Sequence, residues 1–532
     1  MGADAFATET VRAAAGMVAS ANHLATAAGV ALLRAGGTAA DAAVATGAVL
    51  AVTEQHQCGL GGDLFALVHE PGARPTALCA AGRAGEGADA IQLRAEGHER
   101  MPFQDDVRSV TVPGCVDGWL ALHRRYGRLP LAQVLDPAIT YAAAGFPVSP
   151  ILAAIAGDIL HVPGAEDYRE PAMAAGGRLQ AGTHVRRPGV ADALEAIVAH
   201  GRGGFYQGVF GEGLLRLGLG LFSRGDLARD QSAWVEPLQV RAWHHDVWTT
   251  PPPSQGYLTL GGAWVAGELG PPDPDDAAWP HLLSEAARHV GADRDAVLHE
   301  GADGAALVDV GRLAERWAAV DPERRSDVAP LAAGGGTTAA SVVDRERMAV
   351  SLIQSNASAW GARLAEPDTG VFLHNRGIGF SLVAGHPAEY APGRCPPHTL
   401  APALVTRPDG RLRAVLGTMG GDSQPQVLLQ LLARLLHHGQ EPGAALDGAR
   451  WVLTGAGPFR TWEGDGPGGI AVEVHAPEGW DEGLRARGHD VTRSRHRIAH
   501  GFGHAQVVEV DGDGGLRGAA DARALTGAAL GH

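Results

Sequence analysis

The pattern of the chain changes at residue 337, and this change restricts the folds that it can adopt. Before it, residues 16–53 and 112–145 predict helices punctuated by Gly and Pro, with strands near 64–69 and 76–80. Residues 150–335 are mostly helical in pattern. After the change, the pattern is dominated by β-hairpins. A helix-rich part followed by hairpins favours an α/β protein whose sheets are flanked by helices.

Three hairpins are predicted after residue 337. Each has two strand-forming runs around a polar or Gly-containing turn, and they cover 341–355, 403–417 and 503–521. Between the last two, residues 427–439 predict an amphipathic helix that ends at Gly439.

Composition excludes several classes of protein. The chain has 532 residues and a formal net charge of −16, from 59 acidic and 43 basic side chains, and every basic side chain is Arg because the sequence contains no Lys. The negative charge argues against a nucleic-acid or anionic-membrane partner, since both need a clustered positive patch. Without Lys there is no phosphate-binding loop of the G-x-x-x-x-G-K-[ST] type and no Schiff-base chemistry.

Neither a metal site nor a targeting segment is predicted. The four cysteines do not have zinc-site spacing and are expected as free thiols: Cys58, Cys79, Cys115 and Cys395. Two His-rich strings, at 244–246 and 437–438, lack a third ligand at a useful spacing. No basic segment followed by an apolar one opens the chain, and no run of eighteen apolar residues occurs, so we expect a cytoplasmic protein.

The string GGGTTAASVVD places Gly334, Gly335 and Gly336 directly before Thr337 at the start of a predicted strand. One interpretation is a junction that cleaves itself, with the Thr337 hydroxyl attacking the Gly336 carbonyl. The new α-amine, whose reference pKa is about 7.7–8.0, would then act as the base for the same hydroxyl. The other interpretation is a Gly-rich linker that leads into a strand.

A second Gly-rich string, GTMGGDSQPQ, runs from Gly417 to Gln426 before the predicted helix. The backbone N–H groups of Gly420 and Gly421 would suit a developing oxyanion beside a helix N-terminus. The alternative is a strand-to-helix turn that needs the backbone freedom of glycine.

Taken in order, these strings resemble the γ-glutamyltranspeptidase family of N-terminal-nucleophile (Ntn) hydrolases. Further similar strings are the opening segment 16–46, GLGGD at 59–63, SVTVPGCVDGW at 109–119 and PPPSQG at 251–256, so the resemblance covers nearly the whole chain. It implies a four-layer αββα sandwich, made as a zymogen and self-cleaved into two subunits. These would be a helix-rich large subunit, 1–336, and a small subunit, 337–532.

The resemblance also implies roles for particular residues. The nucleophile is Thr337, and Ser355, at the family's second Thr, orients it. Gly420 and Gly421 form the oxyanion hole. No cofactor is implied.

Other positions depart from the family. Ala90 stands where the carboxylate-binding Arg would be, with Arg83 as the nearest replacement, and no Asp is present to pair with a substrate ammonium. The resulting candidate substrate-binding set is Arg83, Asn356, Asn375, Arg376, His398 and Thr399. For the two Arg residues the alternative is a structural salt bridge, and for His398 it is a structural histidine.

With these departures, the chain resembles a divergent branch of the family that includes oxamate amidohydrolases and C–C hydrolases of alkylproline pathways. We therefore expect an enzyme that removes a small, carboxylate-bearing, oxalyl-like acyl group by amide or C–C hydrolysis, through an acyl-Thr337 intermediate. The alternatives are a γ-glutamyl hydrolase or acyltransferase and a catalytically silent binding protein. The expected partners are a small-molecule substrate, the two fragments of the chain and a possible second copy of the processed pair.

The Gly-Thr junction generates the first prediction. Thr337→Ala should leave the chain uncut and inactive, because it lacks both the attacking hydroxyl and the later Thr amine. N-terminal sequencing of the small fragment of the unmodified protein should begin Thr-Thr-Ala-Ala-Ser. A different first residue, or normal cleavage of the Ala variant, would contradict this assignment.

Overall fold

Two seven-stranded sheets form the centre of the molecule. The computed structural model describes residues 8–328, 336–455, 468–495 and 500–532. The first sheet, called here the nucleophile sheet, has the order β21-β2-β10-β11-β3-β4-β7. Its strands are β2 (Met17–Ser20), β3 (Asp63–His69), β4 (Thr76–Ala80), β7 (Ala233–Val235), β10 (Gly336–Val343), β11 (Ala349–Ala357) and β21 (Ala528–Gly531).

The second sheet, called here the facing sheet, packs against the first. Its order is β1-β20-β19-β15-β14-β9-β8. Its strands are β1 (Val11–Ala13), β8 (Leu238–Ala242), β9 (His245–Thr249), β14 (Ala403–Thr406), β15 (Leu412–Thr418), β19 (Ala505–Val510) and β20 (Leu516–Ala520). Both sheets combine strands from before and after residue 337, so the two predicted subunits would share both sheets.

Three smaller strand groups lie outside the main sheets. One has three strands, β16 (Trp451–Thr454), β17 (Gly469–Val472) and β18 (Val491–Arg493). Two are two-stranded, pairing β5 (Phe146–Pro147) with β6 (His184–Val185) and β12 (Ala365–Glu366) with β13 (Val371–Phe372).

Helices cover the outer faces of both sheets, and further helices pack outside these. Those before β10 are α1 (His23–Arg34), α2 (Ala39–Thr53), α3 (Ala90–Ala95), α4 (Cys115–Tyr126), α5 (Leu131–Ala144), α6 (Pro150–Ile155), α7 (Glu166–Ala174), α8 (Pro188–His200), α9 (Arg202–Tyr206), α10 (Val209–Gly218), α11 (Arg224–Ala228), α12 (Tyr257–Leu269), α13 (Ala278–Gly291), α14 (Arg294–Val297), α15 (Gly304–Leu307) and α16 (Val310–Ala318). Those after it are α17 (Gln424–Leu432), α18 (Pro442–Asp447) and α19 (Glu478–Ala486). Among the described residues, no helix is both long and apolar enough to cross a bilayer.

Strand alternation explains the layers. On β10 and β11, residues such as Val342 and Leu352 face α1 and α2, while Ala339 and Ile353 face the facing sheet. Helix α2 is built almost entirely from small residues and is buried along its whole length, which lets it lie close to the sheet. Helices α12, α13 and α17 cover the facing sheet in the same way. The predicted four-layer αββα architecture is therefore confirmed.

The interior between the sheets is tight near the start of β10. Gly417 on β15 lies against this strand, and a Cβ at that position would be 2.8 Å from the Ala339 Cβ. Glycine is needed here because the two sheets approach too closely for any side chain.

The structure corrects two details of the sequence reading. Residues 150–335 also contain the strands β7, β8 and β9. The sequence predicts a mostly helical stretch here, with a strand at the His-rich string 244–246, where β9 begins. The β8–β9 turn uses Trp243 and His244, both with positive φ (45° and 61°), so it lacks the Asn-Gly or Asp-Gly signature of a short hairpin. The helix expected over 427–439 begins at Gln424 and continues as a π-helical turn over 433–437, with most of its residues buried.

Candidate active site

Three central strands bring Thr337, Ser355 and Asp63 into one row. Thr337 on β10 lies opposite Ser355 on β11, which in turn lies opposite Asp63 on β3. Directly paired residues point to the same face of a sheet, and here it is the interior face between the two sheets. All three residues are buried, and the Thr337 and Ser355 hydroxyl oxygens are 3.0 Å apart.

A β-bulge turns the predicted junction towards Ser355. Gly336 lies opposite Ala357 and Thr337 opposite Ser355, so Asn356 is the extra residue of β11. Ala357, at φ 70°, donates its N–H to Ser355 Oγ at 2.8 Å. The Ser355 hydroxyl donates to the Gly336 carbonyl oxygen at 2.6 Å. The carbonyl next to Thr337 therefore already accepts a short hydrogen bond.

Arg376 links this row from one side. Its side chain is buried, with Nη2 donating to Ser355 Oγ at 3.1 Å, Nη1 to Thr399 Oγ1 at 2.9 Å and Nε to Asp63 Oδ2 at 2.7 Å. A guanidinium has five N–H groups, so two remain beyond these three contacts.

Asp63 is the negative centre of the site. Its Oδ2 lies 2.7 Å from Arg376 Nε, 3.0 Å from His398 Nε2 and 3.2 Å from His374 Nδ1. Burial alone would raise the pKa of this carboxyl. The Arg376 charge, helped by the two histidines, instead holds the pKa of Asp63 well below its usual value. Asp63 is therefore a carboxylate near neutral pH.

His398 is packed as a neutral neighbour of this carboxylate. Its Nδ1 accepts the Leu400 N–H at 3.2 Å, which places the ring proton on Nε2, on the side of Asp63. The ring is buried and packs against Phe65, with centroids 4.4 Å apart. Burial, followed by the charge of Arg376, lowers the pKa of His398 to about 4.

Gly420 and Gly421 lie between β15 and α17. Their φ angles are 142° and 56°, so Gly421 has the left-handed conformation that glycine tolerates best. The Gly420 carbonyl accepts from Ser423, and the Gly421 carbonyl accepts from Gln255 Nε2 at 3.0 Å. Neither glycine N–H donates to another residue of the described ranges. The pair therefore lies beside the N-terminus of α17, a position where backbone N–H groups suit an anion.

A cavity of about 390 Å³ adjoins the row. Arg376, Thr399 and Asp422 line it, so it meets the Ser355 network at Arg376 and the Gly421 turn at Asp422. The rest of its wall combines apolar and charged side chains, among them Met101, Phe103, Leu298, Phe380, Arg294 and Asp295. Arg294 lies within salt-bridge distance of both Asp422 and Asp295.

The other predicted binding residues lie away from this cavity wall. Arg83 donates to Glu300 and to the Gly393 carbonyl, both at 2.8 Å. Asn356 donates to the Gln55 carbonyl, and its Oδ1 has no hydrogen-bond partner among the described residues.

Asn375 accepts from Ser358 and donates to the Phe103 carbonyl at 2.6 Å. It therefore fastens a loop that lines the cavity. Its predicted contact with substrate remains a prediction, as do those of Arg83 and Asn356.

Sequence reasoning missed Asp63 and His374. The signals were an acidic residue at the end of GLGGD and a His directly before Asn375-Arg376. His374 lies 3.0 Å from the Thr111 carbonyl oxygen through Nε2, so it joins Asp63 to the loop before α4.

One cluster in the described ranges has the spacing of metal ligands: His281, Glu285 and His489. The His281 Nδ1 and His489 Nε2 atoms are already hydrogen-bonded to each other at 2.8 Å. Burial, then His281 and the charges of three arginines, lowers the pKa of His489 to about 2.

An αββα sandwich with a threonine at the head of a central strand, after a glycine junction, defines the class of Ntn hydrolases. Within this class, the family model described as gamma-glutamyltranspeptidase matches residues 25–531. The chain belongs to the γ-glutamyltranspeptidase family, and it is an enzyme of the threonine-nucleophile hydrolase type.

Two relatives and one solved structure match this chain over nearly their whole length. An oxamate amidohydrolase proenzyme from Klebsiella pneumoniae is 33% identical over 97% of this chain and 98% of its own. A glutathione hydrolase-like YwrD proenzyme from Bacillus subtilis is 32% identical over the same shares. The crystal structure of a cephalosporin acylase from Bacillus halodurans superposes with a TM-score of 0.87 and 30% identity, covering 98% of this chain and 97% of that one.

The glycine pair generates the second prediction. Gly421→Val should reduce kcat, because a β-branched residue cannot hold φ 56° without moving the backbone N–H groups. Loss of one oxyanion donor typically costs about 2.7–4 kcal/mol of transition-state stabilisation. The measurement is the kcat of the purified, processed variant.

Gly410→Val is the matched control. Gly410 also has positive φ (84°), but it lies in the β14–β15 turn with open space around it. It should lower stability and leave kcat close to that of the unmodified enzyme. If the Gly421 variant folds, is processed and keeps a normal kcat, the Gly420–Gly421 pair is a simple turn and not an oxyanion hole.

Proposed function

We propose that this protein is a self-processing amidohydrolase that removes a small, carboxylate-bearing acyl group through an ester on Thr337. The observation that carries the proposal is the short contact of Ser355 with the Gly336 carbonyl, at 2.6 Å, beside a Thr337 hydroxyl 3.0 Å away. Electrophile, nucleophile and a hydroxyl that touches both are already assembled in the uncut chain.

Self-cleavage would proceed by an N-to-O acyl shift. The Thr337 oxygen attacks the Gly336 carbonyl carbon, the C–N bond breaks, and the nitrogen takes up a proton to become the new α-amine. Water then hydrolyses the ester, leaving a Gly336 carboxylate and a free Thr337. The chain would be divided into 1–336 and 337–532, as the sequence predicts, with β10 still held between β2 and β11.

Turnover would repeat this chemistry on an external amide. The α-amine takes the hydroxyl proton, Thr337 Oγ bonds to the acyl carbon, and the leaving nitrogen departs with that proton. Gly420 and Gly421 N–H groups stabilise the oxyanion, and water releases the acid. A C–C bond beside an oxalyl group could be broken by the same attack, with the proton going to carbon.

The position of Arg376 favours a substrate whose acyl group bears a carboxylate. It lines the cavity, and its two remaining N–H groups can grip a carboxylate. Two of the three acids on the wall, Asp295 and Asp422, already face Arg294. A γ-glutamyl substrate would bring its ammonium group towards Arg376, and the third acid on the wall, Glu99, is exposed to solvent. The oxamate amidohydrolase relative is consistent with this proposal, because oxamate carries its carboxylate next to the amide carbon.

The cavity also favours a substituted amide over oxamate itself. Its volume of about 390 Å³ lies in the range of pockets for drug-sized ligands. Oxamate has only a few heavy atoms, so the apolar part of the wall is available to a larger leaving amine. The second candidate function, γ-glutamyl hydrolysis or transfer, rests on the similarity to the glutathione hydrolase-like relative.

A panel of three anilides generates the third prediction. We expect N-phenyloxamate to be hydrolysed with kcat/KM about 10- to 100-fold above acetanilide and γ-glutamyl anilide, the range expected from one charge-assisted carboxylate contact. Aniline release measures all three, and acetanilide is the control because it lacks only the carboxylate. Oxalate, ammonia and glutamate should be followed in parallel with the corresponding free amides.

Variants of Arg376 test whether its guanidinium causes the expected preference for a carboxylate-bearing acyl group. Arg376→Ala should raise KM for N-phenyloxamate and leave KM for acetanilide nearly unchanged, and Arg376→Lys should recover only part of the loss. Comparable or better hydrolysis of the γ-glutamyl anilide would favour the second candidate. A processed protein with no activity on any acyl group tested would favour the silent binding protein.

A further inference from the structure

We propose that Asp63 and Arg376 form a positioning relay that fixes which way the Ser355 hydroxyl donates, first to the Gly336 carbonyl in self-cleavage and then to Thr337 in turnover. The relay is defined as Asp63, Arg376 and Ser355. It rests on Thr337 as the nucleophile of the proposed function, but not on the identity of the substrate.

The hydrogen-bond inventory around Ser355 Oγ carries the argument. A serine hydroxyl has one proton and two lone pairs. Two pure donors point at this oxygen, the Ala357 N–H at 2.8 Å and Arg376 Nη2 at 3.1 Å, and together they occupy both lone pairs. The single proton must then go to an acceptor. Gly336 O accepts it at 2.6 Å.

Arg376 therefore decides the direction of this proton. Without it, one lone pair of Ser355 Oγ would be open, and Ser355 could accept the Thr337 hydroxyl at 3.0 Å instead of directing that proton elsewhere. A guanidinium beside Ser355 also strengthens the hydroxyl as a donor to the oxyanion that develops on Gly336 O during attack.

Asp63 fixes Arg376 in turn. It holds Nε at 2.7 Å, while Thr399 holds Nη1 at 2.9 Å, so the guanidinium plane has no freedom to leave Ser355. His398, neutral and with its proton on the Asp63 side, adds no second positive charge that would weaken the Asp63–Arg376 attraction.

After cleavage, the relay still sets the direction in which the Ser355 hydroxyl donates. The Gly336 carbonyl becomes a separate carboxylate that can leave, and the Ser355 proton then has Thr337 Oγ as its nearest acceptor. Because that oxygen accepts from Ser355, the Thr337 proton must point elsewhere. The α-amine of Thr337 is the base on the same residue, so the relay directs the proton to it.

The fourth prediction tests Asp63, which lies outside the cavity wall and touches neither Thr337 nor Gly336 in a described contact. Asp63→Asn should slow self-cleavage about 10- to 100-fold, the loss expected when a reacting group is misplaced by about 1 Å. The rate is followed as conversion of full-length chain to two fragments after rapid purification, with no substrate present. The matched control is Asp117→Asn, which removes another buried carboxylate 2.8 Å from an arginine, Arg202.

A purely structural ion pair would give a different result. It would lower the unfolding temperature in Asp63→Asn and Asp117→Asn alike and leave the cleavage rate of both unchanged, which would overturn the relay. Because Asp63 is ionised, its neutralisation adds net positive charge near the Thr337 amine and should lower the pKa of that amine. In the processed Asp63→Asn enzyme, the acid limb of kcat/KM should therefore move to lower pH, with kcat falling more than KM changes.

Ser355 provides the decisive cross-check. If Asp63 acts through Ser355, then Asp63→Asn should add little to the cleavage defect of Ser355→Ala, whereas independent effects would multiply. Multiplying effects would overturn the relay. Should Asp63→Asn fail to fold, Arg376→Lys keeps the charge but cannot hold Asp63, Thr399 and Ser355 together. It should slow cleavage by a similar factor, and a normal rate in that variant would also overturn the relay.

Failure here is separate from failure of the substrate assignment. Self-cleavage needs no acyl substrate, so a slow Asp63→Asn variant supports the relay even if no anilide is hydrolysed. Uncut unmodified protein, or cleavage at another bond, would remove Thr337 as the nucleophile and overturn both the proposed function and the relay.

Discussion

A buried carboxylate at the centre of an αββα sandwich must be paired, and the pairing of Asp63 organises the whole site. An unpaired charge in such a position would cost several kcal/mol. Asp63 comes from β3, whereas Arg376, His374 and His398 all come from the chain after residue 337. The charge is therefore satisfied only when the two predicted subunits are folded together, and the pairing would continue to join them after the peptide bond between them is cut.

Strand pairing adds a second link of the same kind. Strand β10 lies between β2 and β11, and β11 lies beside β3, so hydrogen-bonded ladders cross from one predicted subunit to the other on both sides. A new chain end at Thr337 would begin inside a seven-stranded sheet, on a rigid element. Reacting groups held on such elements keep their geometry better than groups on loops, which would allow the proposed nucleophile Thr337 to be a chain terminus as well.

Sequence reasoning went furthest where the signal was local. The change of pattern at residue 337, the hairpin predicted over 341–355 and the order of the motifs indicated the fold and the family, and the structure and the relatives confirmed both. It missed what depends on contacts between distant positions. Asp63 lies 313 residues from Arg376, and no spacing rule connects them. The β8–β9 hairpin was missed because its turn residues, Trp243 and His244, adopt positive φ although they are not the Asn-Gly or Asp-Gly pair that is typical of such a turn.

For Arg376, the sequence identified a candidate binding residue but not the contacts that its side chain makes. The sequence predicted Arg376 either as a clamp for a substrate carboxylate or as part of a structural salt bridge. In the structure three of its five N–H groups are already committed, to Asp63, Thr399 and Ser355. A substrate carboxylate reaching the other two would place a second anion on a guanidinium that already neutralises Asp63. The neutral His398 adds no compensating charge, so the grip would rest on hydrogen-bond geometry more than on net attraction. A small rigid acyl group, whose carboxylate is held in a fixed relation to the scissile carbon, satisfies that geometry better than a flexible one.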